Sequence, residues 1–207
     1  MDLKIIYEND KLLVVDKPAG LDVADIEGLL AHRLDKDTSG VLLIAKTQET
    51  LAYLQKQFQE RKVEKKYVCL VVGIIKQDTG RIETLLGRSP ADRRKQKTYM
   101  PDDLRAEGKR DAVSEYRVLE RYKDYTLLEI QPKTGRKHQI RAHMVHLGHP
   151  IAGDKLYAFK NQPTPQGLER QFLHATYLKI VLPDRTTQEF SSELANDLQL
   201  CLQTLNK

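Results

Sequence analysis

HRLDKDTSGVLLIAKT, residues 32–47, joins a charged turn to an uninterrupted aliphatic run. Asp and Ser side chains bond to their own backbone and glycine accepts positive φ, so Asp37–Gly40 is predicted to form a turn. Val41–Ala45 then predicts a buried strand. A helix is expected over about Gln48–Glu60, because its apolar residues recur at spacings of three and four. Asp35 is therefore expected at the mouth of a buried strand.

Outward from this stretch, the chain alternates short apolar runs with turn residues. The further predicted elements are a hairpin of Leu3–Tyr7 and Leu12–Val15, a central strand Tyr67–Ile75, a second hairpin of Ala112–Arg121 and Tyr125–Gln131, a helix His138–Leu147, a strand Leu173–Leu182 and a closing helix Ser192–Leu205. Hairpins outnumber strand–helix–strand units. The sequence thus predicts an α+β fold, with a mostly antiparallel, mixed central sheet flanked by helices and loops.

Length and composition exclude several classes of protein. The 207 residues suit one domain, and 40% hydrophobic with 30% charged residues describes a soluble globular chain. No run of about 18 apolar residues exists to cross a membrane. The N-terminus lacks a signal-peptide pattern, so a cytoplasmic location is expected. Cys69 and Cys201 supply neither a metal quartet nor a disulfide framework.

The basic excess is concentrated in three segments. The formal net charge is +5, yet Arg61–Tyr67 carries +3, Arg88–Arg110 carries +4 and Lys133–Arg141 carries +4, which leaves −6 on the rest of the chain. This arrangement suits a phosphate backbone. The alternative is three solvated loops that never meet in space.

Asp35 is the first candidate for chemistry. Arg33 and Lys36 lie on either side of it, and nearby positive charge favours an ionised carboxylate. Such a group could be a nucleophile or could stabilise a developing cation. An ion-paired turn without chemistry is the alternative for an Asp in a charged loop.

The second candidate is TGRKHQIRAH, residues 134–143. If this segment opens a helix, Lys137 and Arg141 lie four residues apart on one face, with Arg136 near the first turn. The combination suits phosphate binding or a bidentate grip on a carboxylate. The alternative, a merely basic helix start, is disfavoured because cations fare poorly near the positive end of the helix dipole.

Two further features leave alternatives open. Tyr67, after Glu64-Lys65-Lys66, could stack on a nucleobase or could be core packing. Four histidines in the 134–149 region could indicate a metal site: His138, His143, His146 and His149. No Cys or Glu accompanies them, although zinc sites usually include such ligands. No glycine-rich phosphate loop or dinucleotide motif is present.

Taken together and in order, the motifs resemble the RluA family of pseudouridine synthases, which isomerise uridine in structured RNA. The matching segments are DKPAG (16–20), HRLDKDTSGVLLIAKT (32–47), KKYVCLVVG (65–73), GRSPADRRK (87–95), AVSEYRVLER (112–121), TGRKHQIRAHMVHLGHPIAGDKLY (134–157) and FLHATYL (172–178). The resemblance implies one pseudouridine synthase domain over 1–207. It also implies that no S4-like N-terminal domain precedes it, so that target choice rests on the domain's own surface.

The resemblance assigns roles residue by residue. Asp35 corresponds to the catalytic aspartate, Arg141 to the arginine that pairs with it, and Tyr67 to the tyrosine against the uracil ring. Arg33 corresponds to a residue at the RNA face. The remaining expected RNA-binding residues are His32, Arg93, Arg94, Lys95, Arg136, Lys137 and His138.

The expected activity is isomerisation of a specific uridine after base flipping. The RNA is expected to be 23S ribosomal RNA, with transfer RNA as the other possibility. We expect a monomer without metal, organic or nucleotide cofactor, and no membrane association. The carboxylate could attack C1′, add to C6 or act as a base at C2′. The rival functions are an RNA-binding or RNA-folding module with incidental or lost isomerase activity, and a histidine-dependent metallohydrolase.

Overall fold

The computed structural model describes residues 3–206. Its strands are β1 Lys4–Glu8, β2 Leu12–Lys17, β3 Leu29–Leu30, β4 Ser39–Ala45, β5 Glu64–Val72, β6 Thr79–Arg88, β7 Gln96–Tyr99, β8 Arg110–Arg121, β9 Tyr125–Pro132, β10 Leu173–Val181 and β11 Thr187–Ser191. Its helices are α1 Gln48–Gln59, α2 Gln139–His146 and α3 Asn196–Gln203. The chain divides into two compact units. The first takes the chain up to Tyr67 together with Leu173–Asn196, and the second takes Val68–Phe172 together with the chain from Asp197 onward.

The first unit is a mixed sheet in the order β1-β2-β4-β10. Strand β4 is buried along its whole length, as its aliphatic run predicts. It pairs antiparallel with β2 and parallel with β10. At the parallel pairing Gly40 lies opposite Ala175 with φ +115°, and a Cβ at Gly40 would collide with the Ala175 carbonyl oxygen. This position therefore requires glycine.

Helix α1 covers one face of the first unit. Thr47 caps it, because its hydroxyl oxygen accepts a hydrogen bond from the Thr50 N–H at 3.2 Å. Leu54 is fully buried against the core of β2, β4 and β10, a burial that stabilises the fold by roughly 2 kcal/mol. The Gln57 side chain donates to the Val181 carbonyl oxygen at 2.6 Å. The helix is thus fixed to the end of β10.

The second unit holds the antiparallel order β9-β8-β6-β7. The predicted second hairpin is β8 and β9, and β6 pairs with the other edge of β8. Helix α2 packs on this sheet through Ala142, which shares an apolar cluster with Leu86, Ala112 and Tyr157. The α+β class and the mostly antiparallel, mixed sheet are confirmed.

Several predicted boundaries are wrong. Helix α2 begins at Gln139, because His138 has φ +52° and lies outside the helix. Lys137 therefore does not share a helix face with Arg141. The closing helix begins at Asn196, since the Ser192 N–H donates to the Thr176 carbonyl oxygen at 2.9 Å and keeps that segment extended.

Other differences concern strands. The central strand β5 ends at Val72, three residues before the predicted end. Strands β3, β6, β7 and β11 are absent from the sequence prediction. Within residues 3–206, no helix is long and apolar enough to cross a membrane. The single-domain prediction over 1–207 stays a prediction, and Met1, Asp2 and Lys207 lie outside the described residues.

Candidate active site

Asp35 lies in a tight turn that leads into β4. The turn closes where the Thr38 N–H donates to the Asp35 carbonyl oxygen at 3.0 Å. The next residue, Lys36, accepts a hydrogen bond from the Gly20 N–H at 3.0 Å, which ties the turn to the DKPAG loop. Asp35 is half-buried. Its carboxylate is thus carried by a backbone fixed on both sides.

Lys17 is the group that holds these two loops together. Its side chain is fully buried, and its ammonium group donates to the carbonyl oxygens of Pro18, Leu21 and Lys36 at 2.8, 2.8 and 2.9 Å. Three charge-assisted hydrogen bonds compensate the desolvation of this cation. The sequence reasoning missed Lys17, although DKPAG was among the matching motifs.

Tyr67 lies close enough to Asp35 for the carboxylate charge to act on the Tyr67 hydroxyl. The ring packs against an apolar cluster that includes Val15, Leu42 and Ala175. Burial raises the pKa of the Tyr67 hydroxyl, and the negative charge of Asp35 raises it further. The hydroxyl therefore stays protonated at neutral pH. The structure brings these two predicted catalytic residues together in the first unit.

The two residues before Leu34 differ in environment. Arg33 is exposed. The His32 ring stacks on Phe58 with centroids 4.8 Å apart, and its Nε2 accepts a hydrogen bond from the Leu43 N–H at 3.0 Å. Burial, aided by the charge of Lys65, lowers the pKa of His32 to about 3. The neutral ring thus attaches the segment before Asp35 to α1 and β4. RNA binding by His32 stays a prediction.

Arg141 lies on α2 with only 6% of its surface exposed. Its Nε and Nη2 donate to the two carboxylate oxygens of Asp154 at 2.7 and 2.8 Å. Asp154 also accepts from the N–H groups of Leu156 and Tyr157 at 2.9 and 3.0 Å. The Arg141 guanidinium carbon lies 4.9 Å from the centre of the Tyr157 ring. The predicted pairing of Arg141 with the catalytic aspartate stays a prediction.

The residues before α2 form part of the same surface. The Arg136 side chain donates to the Asp111 carbonyl oxygen at 3.0 Å, and Lys137 is exposed. His138 places its Nδ1 3.1 Å from the Tyr157 hydroxyl. Three predicted RNA-binding residues thus adjoin the helix that carries Arg141.

The loop between β6 and β7 carries the other predicted RNA-binding cations. Arg93 is exposed. Arg94 donates from Nε and Nη2 to the Asp92 carboxylate at 3.0 and 2.8 Å, which lowers the pKa of Asp92 to about 2. The Lys95 ammonium group lies 5.9 Å from the centre of the Tyr157 ring. One of the three cations is therefore already paired with a carboxylate.

The histidines on and after α2 have structural partners. His143 is buried, and its ring nitrogens lie 2.9 Å from the Ser114 hydroxyl and 3.2 Å from the Thr84 hydroxyl. Burial, and then the charge of His146, lowers the pKa of His143 to about 4. Among the described residues, no group of three or more His, Cys, Asp or Glu side chains could hold a metal ion. The metallohydrolase reading therefore has no geometric support within residues 3–206.

Sequence reasoning also missed Asp154 and Tyr157. Both belong to GDKLY, residues 153–157, at the end of the matching segment 134–157, where the sequence indicates no role for any side chain. The signal available was a carboxylate and an aromatic residue in a motif that follows a glycine turn. Their contacts with Arg141 depend on how the chain folds back after α2, which no residue spacing predicts.

Comparison with known proteins identifies the family of the chain. Residues 25–146 match the family model described as RNA pseudouridylate synthase. An uncharacterized RNA pseudouridine synthase of Bacillus subtilis is 36% identical over 100% of this chain and 74% of its own length. An uncharacterized RNA pseudouridine synthase of Aquifex aeolicus is 41% identical over 80% of this chain and 59% of its own length. The ribosomal large subunit pseudouridine synthase D of Nitrosomonas europaea is 35% identical over 98% of this chain and 65% of its own length.

Solved structures show the same fold. The human RNA pseudouridylate synthase domain containing 1 superposes with a TM-score of 0.83 at 26% identity, over 97% of this chain and 87% of that one. The human RNA pseudouridylate synthase domain containing 4 superposes with a TM-score of 0.82 at 27% identity, over 99% of this chain and 94% of that one. The chain spans between 59% and 74% of the three curated relatives named above. The chain belongs to the RNA pseudouridylate synthase family, in the RluA branch that its motifs indicate.

Proposed function

We propose that this chain isomerises uridine to pseudouridine in structured RNA, with Asp35 as the catalytic carboxylate. The observation that carries the proposal is the pair of Asp35 and Tyr67: a carboxylate on a fixed turn beside a tyrosine whose hydroxyl stays protonated. The family supports the reaction, and the environment of the pair supports the assignment of the residue.

The reaction breaks the C1′–N1 bond, turns the uracil while it is held, and joins C5 to C1′. An ionised carboxylate can act by attack at C1′, by addition at C6 or as a base at C2′. All three routes need the carboxylate held at a fixed place, because misplacement by about 1 Å can cost about a hundredfold in rate. The hydrogen bonds of Lys17 and Gly20 to the Lys36 carbonyl oxygen supply that restraint.

Tyr67 is the residue proposed to receive the extruded base. A uridine stacked in folded RNA is out of reach of a protein carboxylate, so the base must flip. The Tyr67 ring rests on the apolar cluster of the first unit and offers a flat surface for stacking. Its protonated hydroxyl can donate a hydrogen bond to the base or to the carboxylate.

Arg141 is the third catalytic residue of the proposal. A guanidinium has five N–H donors, and Asp154 accepts from two of its nitrogens. The Asp154 pair fixes the guanidinium plane, so that a further anionic group meets a donor of defined orientation.

The RNA is proposed to be held mainly through its phosphate backbone. Exposed Arg33, Arg93 and Lys137 and the half-buried Lys95 are the cations that favour phosphate. Relatives named ribosomal large subunit pseudouridine synthase D support the large ribosomal RNA as the substrate. Transfer RNA stays the alternative, and a cytoplasmic monomer without a cofactor stays the expectation.

Tritium release tests the activity and the residue together, because C5 loses its hydrogen when it joins C1′. RNA labelled with tritium at uridine C5 should release label to water with the unmodified chain and at least about a thousandfold more slowly with Asp35→Asn. Asp25→Asn, at an exposed carboxylate in the short 3-10 helix Val23–Asp25, is the matched control and should retain full release. Equal release from the unmodified chain and Asp35→Asn would remove Asp35 from the chemistry.

The rival function, an RNA-binding or RNA-folding module, gives a different result. Under that reading, large ribosomal RNA would bind but no tritium would appear in water. A strain carrying Asp35→Asn would then behave like its parent in ribosome assembly. Loss of pseudouridine at one position in the Asp35→Asn strain, mapped with carbodiimide, would decide for the enzyme and identify its target.

A further inference from the structure

Tyr157 contacts both the residue proposed for catalysis and the loop proposed for RNA binding. It lies in the turn after Asp154 with 5% of its surface exposed. Its ring faces Arg141, and its hydroxyl lies at hydrogen-bond distance from Gln96 and His138. We propose that Tyr157 is a positioning residue that couples the basic loop between β6 and β7 to Arg141. This inference rests on the proposed function.

The ring of Tyr157 orients Arg141. The guanidinium carbon lies 4.9 Å from the ring centre, within the range of a cation–π contact. Asp154 fixes both partners, since its carboxylate accepts from the Arg141 side chain and from the Tyr157 N–H. The two hydrogen bonds to Asp154 still allow the guanidinium to rotate about the line that joins them, and the ring limits that rotation, so loss of the ring frees the guanidinium to change its tilt.

The hydroxyl of Tyr157 fixes the end of the basic loop. The Gln96 N–H donates to it at 2.6 Å, and Gln96 is the first residue of β7. The loop before Gln96 is closed by its own hydrogen bonds, in which the Ser89 N–H donates to the Lys95 carbonyl oxygen at 3.0 Å. A closed loop anchored at one end by Tyr157 moves as a unit. Together with the pairing of Arg88 with Gln96 in the β6–β7 ladder, this anchor sets where Arg93 and Lys95 present their charges.

His138 extends the coupling to the start of α2. Its Nδ1 lies 3.1 Å from the Tyr157 hydroxyl, and its ring meets the Tyr157 ring edge-on at a centroid distance of 5.7 Å. His138 comes directly before the helix that carries Arg141. The hydroxyl thus joins the basic loop to the residue directly before α2, and the ring joins that residue to the Arg141 guanidinium.

The two contributions can be separated by substitution. Tyr157→Phe keeps the ring against Arg141 and removes the hydroxyl. Tyr157→Leu removes both. Tyr99→Phe is the matched control, because Tyr99 is buried in β7, and its ring lies between 5 and 6 Å from the ammonium groups of Lys97 and Lys109.

Amide hydrogen exchange tests the anchor without reference to catalysis. In Tyr157→Phe the Gln96 N–H should exchange about fivefold faster, the factor expected for one lost hydrogen bond. In Tyr99→Phe its rate should stay within twofold of the unmodified chain. An unchanged Gln96 rate in Tyr157→Phe would overturn the proposal.

Single-turnover kinetics with C5-tritiated RNA test the coupling. Tyr157→Phe should weaken the apparent RNA affinity about three- to tenfold and leave the rate at saturating RNA within twofold. Tyr157→Leu should also lower that saturated rate, by tenfold or more. Equal saturated rates in both variants would overturn the role of the ring. If the unmodified chain released no tritium, the proposed function would fail, while the exchange result would still decide the anchor.

Discussion

The buried ammonium group of Lys17 donates to the carbonyl oxygen of Lys36 at 2.9 Å, directly beside Asp35. This contact joins two loops that are 19 residues apart in the chain. The same ammonium group donates to the carbonyl oxygen of Pro18 in the DKPAG loop and to that of Leu21 directly after it. A cation fully withdrawn from water is stable only with such partners. Lys17 therefore determines the position of the backbone that carries Asp35.

Replacing Lys17 with methionine should destabilise the chain and displace Asp35. The substitution keeps the apolar stem and removes the Lys17 donor from three carbonyl oxygens, of which that of Lys36 keeps the Gly20 N–H. We expect the free energy of unfolding to fall by about 2–4 kcal/mol. The rate of tritium release at saturating RNA should fall about tenfold or more, because the carboxylate loses its fixed place. Urea unfolding and single-turnover assays measure the two effects.

Lys46→Met is the matched control for this variant. The Lys46 ammonium group pairs with Glu8 at 2.6 Å, but both side chains remain partly exposed. Solvated ion pairs contribute less than about 1 kcal/mol. We expect little change in unfolding and none in the rate. A Lys17→Met chain as stable and active as the control would contradict the role given to Lys17.

Asp154→Asn should have a large effect on stability, because it leaves a buried guanidinium without its counter-charge. Asp154 is 1% exposed and accepts two hydrogen bonds from Arg141. Breaking a buried pair typically costs about 3–5 kcal/mol. The comparison is Asp197→Asn, whose partner Arg170 is also held by two hydrogen bonds but whose own side chain is 52% exposed. Denaturant unfolding should give a clearly smaller loss for Asp197→Asn, and equal losses would contradict the argument.

The sequence predicts the parts of the fold that depend on local pattern. The aliphatic run of β4 and the Thr47 cap of α1 are read directly from residue types. Strand β11 was missed because TQEFS holds one buried apolar residue, Phe190, among polar ones. Strand β6 was missed even though Ile82, Thr84 and Leu86 alternate inward, because glycines near both of its ends resemble turn signals.

The site was predictable only where a residue carries its own signal. Asp35 is singled out by charge, position and family resemblance, whereas only the resemblance favours a role for Tyr67 over core packing. Nothing in the sequence indicates that Lys17 is buried, since lysine is almost always exposed. Arg141 pairs with Asp154, which lies thirteen residues further along the chain. No helical or strand periodicity brings residues at this spacing together, so the sequence does not predict the pair. The prediction that Lys137 shares a helix face with Arg141 is wrong for a conformational reason. His138 has a left-handed backbone, so the helix begins one residue later than predicted, at Gln139.

Neutralising the loop between β6 and β7 should weaken RNA binding and flatten its salt dependence. The triple variant Arg93→Gln, Arg94→Gln, Lys95→Gln should lower the slope of log affinity against log salt by about 2. Arg93→Gln alone should lower the slope by about 0.7–0.9, the value for one lost phosphate contact. Fluorescence anisotropy with labelled RNA over a series of KCl concentrations measures the slope.

Arg94→Gln should lower the slope less than Arg93→Gln. The Asp92 carboxylate already holds the Arg94 guanidinium through two hydrogen bonds, so fewer counterions are released when RNA meets it. A larger decrease in the slope for Arg94→Gln than for Arg93→Gln would contradict the pairing of Arg94 with Asp92 in solution. An unchanged slope in the triple variant would remove the loop from the RNA surface.

The buried His143 should make the chain sensitive to acid. Its pKa is about 4 in the folded chain against 6.5 as the ordinary value, so the unfolded chain binds the proton more readily. Its contribution to stability is therefore complete above about pH 6.5 and is lost as the pH falls towards 4. Between pH 7.5 and 5.0 the free energy of unfolding should fall by about 2 kcal/mol through this residue.

His143→Gln isolates this contribution, because an amide can bond to the Ser114 and Thr84 hydroxyls without titrating. Urea unfolding at the two pH values should show a pH-dependent loss about 2 kcal/mol smaller in this variant than in the unmodified chain. Other groups, His32 among them, lose stability in both chains and cancel in the difference. His146→Gln, an exposed position on the same helix, should keep most of the loss. An equal loss in His143→Gln and the unmodified chain would show that His143 is not the group that titrates.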